Sequence, residues 1–313
     1  MHVYRWDLDK TYLDTEIESV RGLIRAALEK AREKRNVPGS AALLRALVDH
    51  DDKARVCVLS GSPTQMRSVL EEKLALDGIE VHELILKDNL GNIRRGRLRA
   101  VTDQLGYKLP HLLQSRVGLG SDVQETLFGD DSEVDALVYA AYAAVVRGDL
   151  DAKSLRGLLR AGDAYGDTIN AALSAASKIA TADAVQGIYI HVDRGVPLHR
   201  FNLLAGQVTP VFSWLQAAMA LQVAGRLDRS KTIDVIRACT AEAHLSGPQL
   251  AGLIQDAVRR GLVPEALVRD LCNDAALEPV SRAILRSLDR LGGRIDPPNS
   301  KSTPDYLGFL HAT

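Results

Sequence analysis

Short apolar runs alternate with helical stripes along the first half of the chain. Residues 3–6 read as a short strand. Residues 16–35 carry a helical period, with Val20, Leu23, Ile24, Ala27, Leu28 and Ala31 on one face. Pro38-Gly39 breaks that pattern, and residues 40–48 read as another helix. The run Arg-Val-Cys-Val-Leu at 55–59 is rich in β-branched residues and predicts a buried strand. Helix is predicted over 63–77, strand over 81–86, helix over 105–114, strand over 126–128, helix over 134–147 and strand over 184–192. Strands separated by helices imply parallel βαβ units, and so an α/β doubly wound parallel sheet.

The pattern changes from about residue 197 onward, where only helices are predicted. Residues 215–305 contain no Phe, Tyr or Trp, and Leu, Ala, Val and Ile at helical spacing must form that core. Residues 201–225 carry no charge and are long enough to span a bilayer. Asn202, Gln207, Thr209, Pro210, Ser213, Gln216 and Gln222 interrupt them, so a central buried helix kinked at Pro210 is the better reading. The expected organisation is a sheet domain over 1–195 with a helical insertion at 148–183, an all-α domain over 196–296 and a flexible tail over 297–313.

Composition narrows the classes of function. Hydrophobic residues make up 46% and charged residues 25% of the 313, ordinary for a globular protein. Lys plus Arg total 39 against 40 for Asp plus Glu, which excludes a globally basic nucleic-acid binder. Aromatics at 4% argue against a base-stacking surface, so no nucleic-acid partner is expected. Cys57, Cys239 and Cys272 lie far apart without a CxxC pair, so neither a disulfide framework nor structural zinc is expected. The first residues lack a signal-peptide layout, and a cytoplasmic setting is expected. The near-zero net charge is a local cancellation. Lys87, Arg94, Arg95, Arg97, Arg99, Lys108 and Arg116 stand against only Asp88 and Asp103, and an acidic run follows. That basic stretch is either a solvated face or a lure for an anionic substrate.

In an open α/β sheet, ligands sit beyond the carboxyl ends of the strands. After the first strand comes Asp7-Leu8-Asp9-Lys10-Thr11, after the second Ser60-Gly61-Ser62-Pro63, and after a later one Gly129-Asp130-Asp131-Ser132-Glu133-Val134-Asp135. Lys108 opens a helix between the last two. Such acids often only cap helices. Here they fall on one rim, where four carboxylates repel strongly unless a cation compensates them. An all-oxygen donor set suits Mg²⁺, with Asp7, Asp9, Asp130 and Asp131 as the candidate ligands. Ser60, Gly61 and Thr11 are candidate substrate-binding residues, and Lys108 can neutralise charge on a phosphoryl group. Asp7 can attack phosphorus, while Asp9 protonates the leaving oxygen and later activates water. Asp135 reads equally well as a site acid or as a first-turn acid facing the helix dipole.

Asp7-Leu8-Asp9-Lys10-Thr11 resembles the DxDxT signature of the haloacid dehalogenase superfamily of phosphohydrolases, with Ser60, Lys108 and Gly129-Asp130-Asp131 similar to its later motifs. A closer resemblance is to the actin-patch-associated phosphatidate phosphatase family and its bacterial relatives. It rests on Ser60-Gly61-Ser62-Pro63, Leu86-Lys87-Asp88, the Lys108 helix, Asp130 through Tyr139 and the strand Ile188-Tyr189-Ile190. Lys10 departs from it, since that family tends to carry an acid there. The resemblance implies a Mg²⁺-dependent phosphomonoester hydrolase working through an aspartyl-phosphate on a large phosphorylated substrate such as a lipid. It is compatible with peripheral membrane contact and needs no transmembrane span. The alternative is a catalytically silent phosphatase-like binding or scaffold protein.

Overall fold

The computed structural model describes residues 1–15, 30–89, 91, 103–132 and 134–312. Two compact units are built from it. The first comprises Met1–Arg35, Lys53–Pro210 and Ser300–Thr313, and the second Asn36–Asp52 with Val211–Asn299. The predicted helix over 16–35 falls largely outside the described residues, as does the arginine run 94–99.

The first unit holds a sheet of six strands in the order β3-β2-β1-β4-β5-β6. They are β1 His2–Trp6, β2 Arg55–Pro63, β3 Glu83–Lys87, β4 Gln124–Asp130, β5 Val185–His191 and β6 Thr209–Val211. β1 pairs in parallel with both β2 and β4, β2 with β3, and β4 with β5. All five residues of β1 are buried, as a strand with neighbours on both edges and helices on both faces requires. The chain winds outward through β2 and β3 and then returns to the other side of β1 as β4. The gap between β1 and β4 is therefore the topological switch point, where the carboxyl ends open a crevice.

Below that rim the sheet is locked by aromatic and ionic contacts. Trp6 stacks on Phe128 with centroids 4.2 Å apart, and Phe128 on Tyr189 at 5.6 Å. Arg5 of β1 pairs with Glu125 of β4 at 2.6 Å, and Tyr142 and Arg116 reach the same carboxylate at 2.5 and 3.6 Å. Arg5, Arg116 and Glu125 are all buried, so each charge depends on the others. Glu125→Ala should therefore lower stability by about 3–5 kcal/mol, readable as a shifted urea midpoint, because two guanidinium groups lose their counter-ion. A midpoint shift below a few tenths of that would sink this account.

Two expectations about residues 196 onward need correction. A short strand, β6, lies where only helices were predicted, and residues 201–225 are not one kinked helix. Leu198–Phe201 and a 3₁₀ turn at Asn202–Leu204 end at Ala205 and Gly206, with φ of 52° and 72°, a left-handed stop. Pro210, lacking an N–H, sits in the outermost strand, and a new helix runs over Trp214–Val223. The buried Gln216 answers the polarity of the run. It accepts from the Phe212 amide and donates to the Leu253 carbonyl and Asp256.

The end of the chain also carries structure. Asp305 caps a helix over Tyr306–His311, whose Phe309 is buried beside Phe201 at 6.1 Å under the Arg200 guanidinium.

The second unit is helical. Its helices are Ser40–His50, Trp214–Val223, Arg229–Glu242, Gly247–Arg259, Glu265–Leu271 and Glu278–Leu291. The short segment 36–52 joins it through the Gly39 amide on Glu242 and through Lys231 on Asp49, both at 2.8 Å. The helix Gly247–Arg259 lies along Glu278–Leu291, where Gln255 donates to the Ser287 carbonyl at 2.6 Å. No helix among the described residues is long and apolar enough to cross a membrane.

Candidate active site

The end of β1 passes directly into a tight loop. The Asp7 amide bonds the Phe128 carbonyl at 2.9 Å, which extends the β1–β4 ladder to the rim. The Tyr12 and Leu13 amides then fold back onto the Leu8 carbonyl. The turn forces Lys10 to φ 62°, a conformation that costs a non-glycine residue roughly 1 kcal/mol or more. It is held there by its own amide on Leu13 and by His191, whose Nδ1 lies 3.3 Å from the Lys10 carbonyl. The Lys10 ammonium lies 3.4 Å from Asp14 and 3.6 Å from Asp193.

Asp7 is buried at 1% exposure and meets the Lys108 ammonium at 2.9 Å. Lys108 reaches across to Asp135 at 2.5 Å. Asp130, at the end of β4, completes the group. Each of Asp7, Asp130 and Asp135 offers a carboxylate oxygen within 4.8 Å of the others. Asp130 is oriented by the Thr11 hydroxyl at 3.2 Å, by the Ser132 amide at 2.5 Å and by the Ser132 hydroxyl. Tyr139, one turn along the Asp135 helix, sits beside this cluster, and burial followed by the Asp135 charge pushes its phenol well above the ordinary range.

Taken by themselves, the three carboxylates and the Lys108 ammonium sum to two negative charges when all are ionised. An excess of that size in a desolvated, all-oxygen pocket fits a hard divalent cation. The residues present therefore suit a divalent metal.

Asp9 points elsewhere. Its carboxylate accepts from the Ser60, Ser62 and Thr15 hydroxyls at 3.2, 2.8 and 2.9 Å. Ser60 is fully buried, its Oγ also accepts from the Ser62 amide, and its carbonyl accepts from Tyr107. Gly61 follows at the rim, so close to the Gln104 amide that a Cβ there would stand 2.8 Å from it. Thr11 is buried against Asp130.

Asp131 stands apart from the three clustered acids. Its carboxylate accepts from the Asp193, Arg194 and Val196 amides at 2.8, 2.9 and 3.0 Å, fastening the turn after β5. The structure thus brings Asp7, Asp130, Lys108 and Asp135 together, places Asp9, Ser60 and Thr11 beside them, and gives the side chain of Asp131 to a loop. Asp131→Ala should free that turn at a cost of about 1–3 kcal/mol, measured as faster amide hydrogen exchange at 193–196. Unchanged exchange there would show that the turn holds itself. Thr15 is absent from the residues that the sequence singles out, yet its hydroxyl converges with that of Ser62 on Asp9. Only the folded loop brings Thr15 back to it.

The basic stretch has also been redistributed. Lys87, Lys108 and Arg116 are interior, with Lys87 donating to the Asp103 carbonyl and lying 5.1 Å from the Tyr107 ring centre. Of that stretch the described residues therefore present no basic face.

A doubly wound parallel sheet that gathers aspartates and one lysine at its switch point has the layout of the haloacid dehalogenase superfamily. Within that class, residues 6–156 match the family model described as phosphatidate phosphatase APP1, catalytic domain. That stretch, just under half of the chain, is similar to a phosphatase catalytic domain, and the match implies a phosphatase. No curated protein and no solved structure matches the chain.

Proposed function

We propose that the protein hydrolyses a phosphomonoester of a large substrate, phosphatidate being the leading candidate, through an aspartyl-phosphate at Asp7. The observation that carries this is the Asp7–Lys108–Asp135–Asp130 cluster. A carboxylate is held at a strand end beside a buried ammonium, with a charge excess that calls for a divalent cation. Magnesium is the proposed metal, with Asp7 and Asp130 as ligands and Asp135 taking the place next to them that Asp131 leaves. The ion would supply charge neutralisation at the phosphoryl oxygens.

The chain's own groups divide the remaining work. An Asp7 oxygen attacks phosphorus, the P–O bond to the alcohol breaks, and Asp9 gives its proton to the departing oxygen. Asp9, once deprotonated, takes a proton from the water that hydrolyses the aspartyl-phosphate. The hydroxyls of Ser60, Ser62 and Thr15 hold the Asp9 side chain beside the Asp7 cluster. Lys108 fixes the Asp7 rotamer and offsets the incoming charge. Ser60, Gly61 and Thr11 line the phosphoryl position. Three cysteines outside any disulfide support a reducing, cytoplasmic setting.

The test is phosphate release from phosphatidate in mixed micelles and from an aryl phosphate, with Mg²⁺ and after chelation. Metal-dependent release from phosphatidate is expected. No hydrolysis with any divalent metal, alongside intact phosphate binding, would instead favour a silent binding protein. A second readout isolates Asp9. Asp9→Asn should slow phosphatidate by about 100-fold or more, and an aryl phosphate with a good leaving group much less, since only the alkoxide needs the proton. Equal slowing of both substrates would remove Asp9 from the acid role.

A further inference from the structure

The helix Glu278–Leu291 buries Ile284, Leu288 and Leu291 on one side. On the opposite side Arg282, Arg286 and Arg290 recur every fourth residue, all exposed, and Arg294 follows just beyond the helix end. Like charges at that spacing repel along a helix rather than support it. Among the described residues none of Arg282, Arg286 and Arg290 makes a hydrogen bond or ion pair. The neighbouring acid that could have served, Asp289, is held by Arg269 at 2.8 Å. Glu278 lies in the first turn, and Glu265 on the adjoining helix is likewise taken by Arg269, at 2.7 Å.

We infer that this arginine row is a docking surface for an anionic membrane. Three guanidinium groups along ~12 Å of a convex helix face make a flat, positively charged strip, and a plane of anionic headgroups complements it. Nucleic acid fits less well. Residues 215–305 hold no Phe, Tyr or Trp on which a base could stack. The choice of lipid also leans on the proposed phosphatidate activity. The helix turns Ile284, Leu288 and Leu291 inward, so contact through the arginine row is electrostatic, reversible and salt-sensitive.

The experiment uses the full chain and co-sedimentation with vesicles of phosphatidylcholine alone or mixed with phosphatidylserine, an anionic lipid that is not a phosphomonoester. Binding should require the anionic lipid and fade at high salt. The triple variant R282Q/R286Q/R290Q should bind about 100-fold more weakly, near fivefold for each arginine, while the matching Arg→Lys triple stays close to the parent. Turnover of a soluble aryl phosphate should be the same in all three proteins, and the Asp7→Asn protein should still bind vesicles. Equal vesicle binding by parent and Gln triple overturns the inference. So does a Gln triple that loses affinity only for a single-stranded oligonucleotide. A chain without phosphatase activity whose vesicle binding still depends on these arginines defeats the catalytic reading and upholds the surface.

Discussion

Asp7→Asn is expected to cut phosphate release by on the order of 10,000-fold, with the folded structure retained. The carboxamide is nearly isosteric with the carboxylate but is a far poorer nucleophile toward phosphorus. Its oxygen can still accept from Lys108, which lies 2.9 Å from Asp7 Oδ1. The substitution also removes one of three mutually repelling buried charges, so the midpoint of thermal unfolding should hold or rise. A loss of activity without a loss of stability marks chemistry rather than architecture. Single-turnover phosphate release combined with a thermal melt decides the matter. Activity within tenfold of the parent would remove Asp7 from the nucleophile's place.

Lys108→Met should act on both properties at once. The ammonium is fully buried and touches Asp7 and Asp135. Methionine keeps most of the volume but leaves three carboxylates together without their protein cation. The expected cost is about 3–5 kcal/mol in metal-free buffer. Magnesium should restore part of it, because an ion that binds only the folded state stabilises by RT ln(1 + [Mg²⁺]/Kd). The variant should therefore melt well below the parent without Mg²⁺, and its melting temperature should rise more steeply with added Mg²⁺. Turnover should stay low even at saturating Mg²⁺, since the metal does not restore the grip on the Asp7 rotamer. Identical melting of variant and parent in chelator would mean that the buried acids are not held ionised by Lys108.

Much of the first unit could be read before any coordinates. β1, β2, β4 and β5 are short β-branched or aromatic runs bounded by helical stripes, and burial on both faces makes such runs conspicuous. Their carboxyl ends carry the acids, so the rim followed from topology alone. What escaped was decided by contacts that only the folded chain makes. Nothing local tells Asp131 from Asp135. The first is claimed by three amides of a turn sixty residues later, and the second lies one helical turn further on, facing Lys108. Lys87 and Arg116 looked like surface charge because their carbonyl partners, on Asp103, Gly120 and Val123, belong to the fold. The segment 36–52 joins helices that begin far downstream, a pairing that hydrophobic period cannot express. The three-residue β6 is too short to leave a periodic trace.

The turn fastened by Asp131 sets a limit on how far the catalytic module is autonomous. The family-matched segment stops at residue 156, yet β5 and the amides of Asp193, Arg194 and Val196 all lie beyond it. A polypeptide ended there would expose the flank of β4 as a raw hydrogen-bonding edge and strand the Asp131 carboxylate without its donors. Open edges of that kind recruit other chains. A piece that keeps the β4 edge paired and the Asp131 carboxylate satisfied therefore has to extend past the matched segment, through residue 196. Grafting or dissecting this enzyme has to respect the larger boundary.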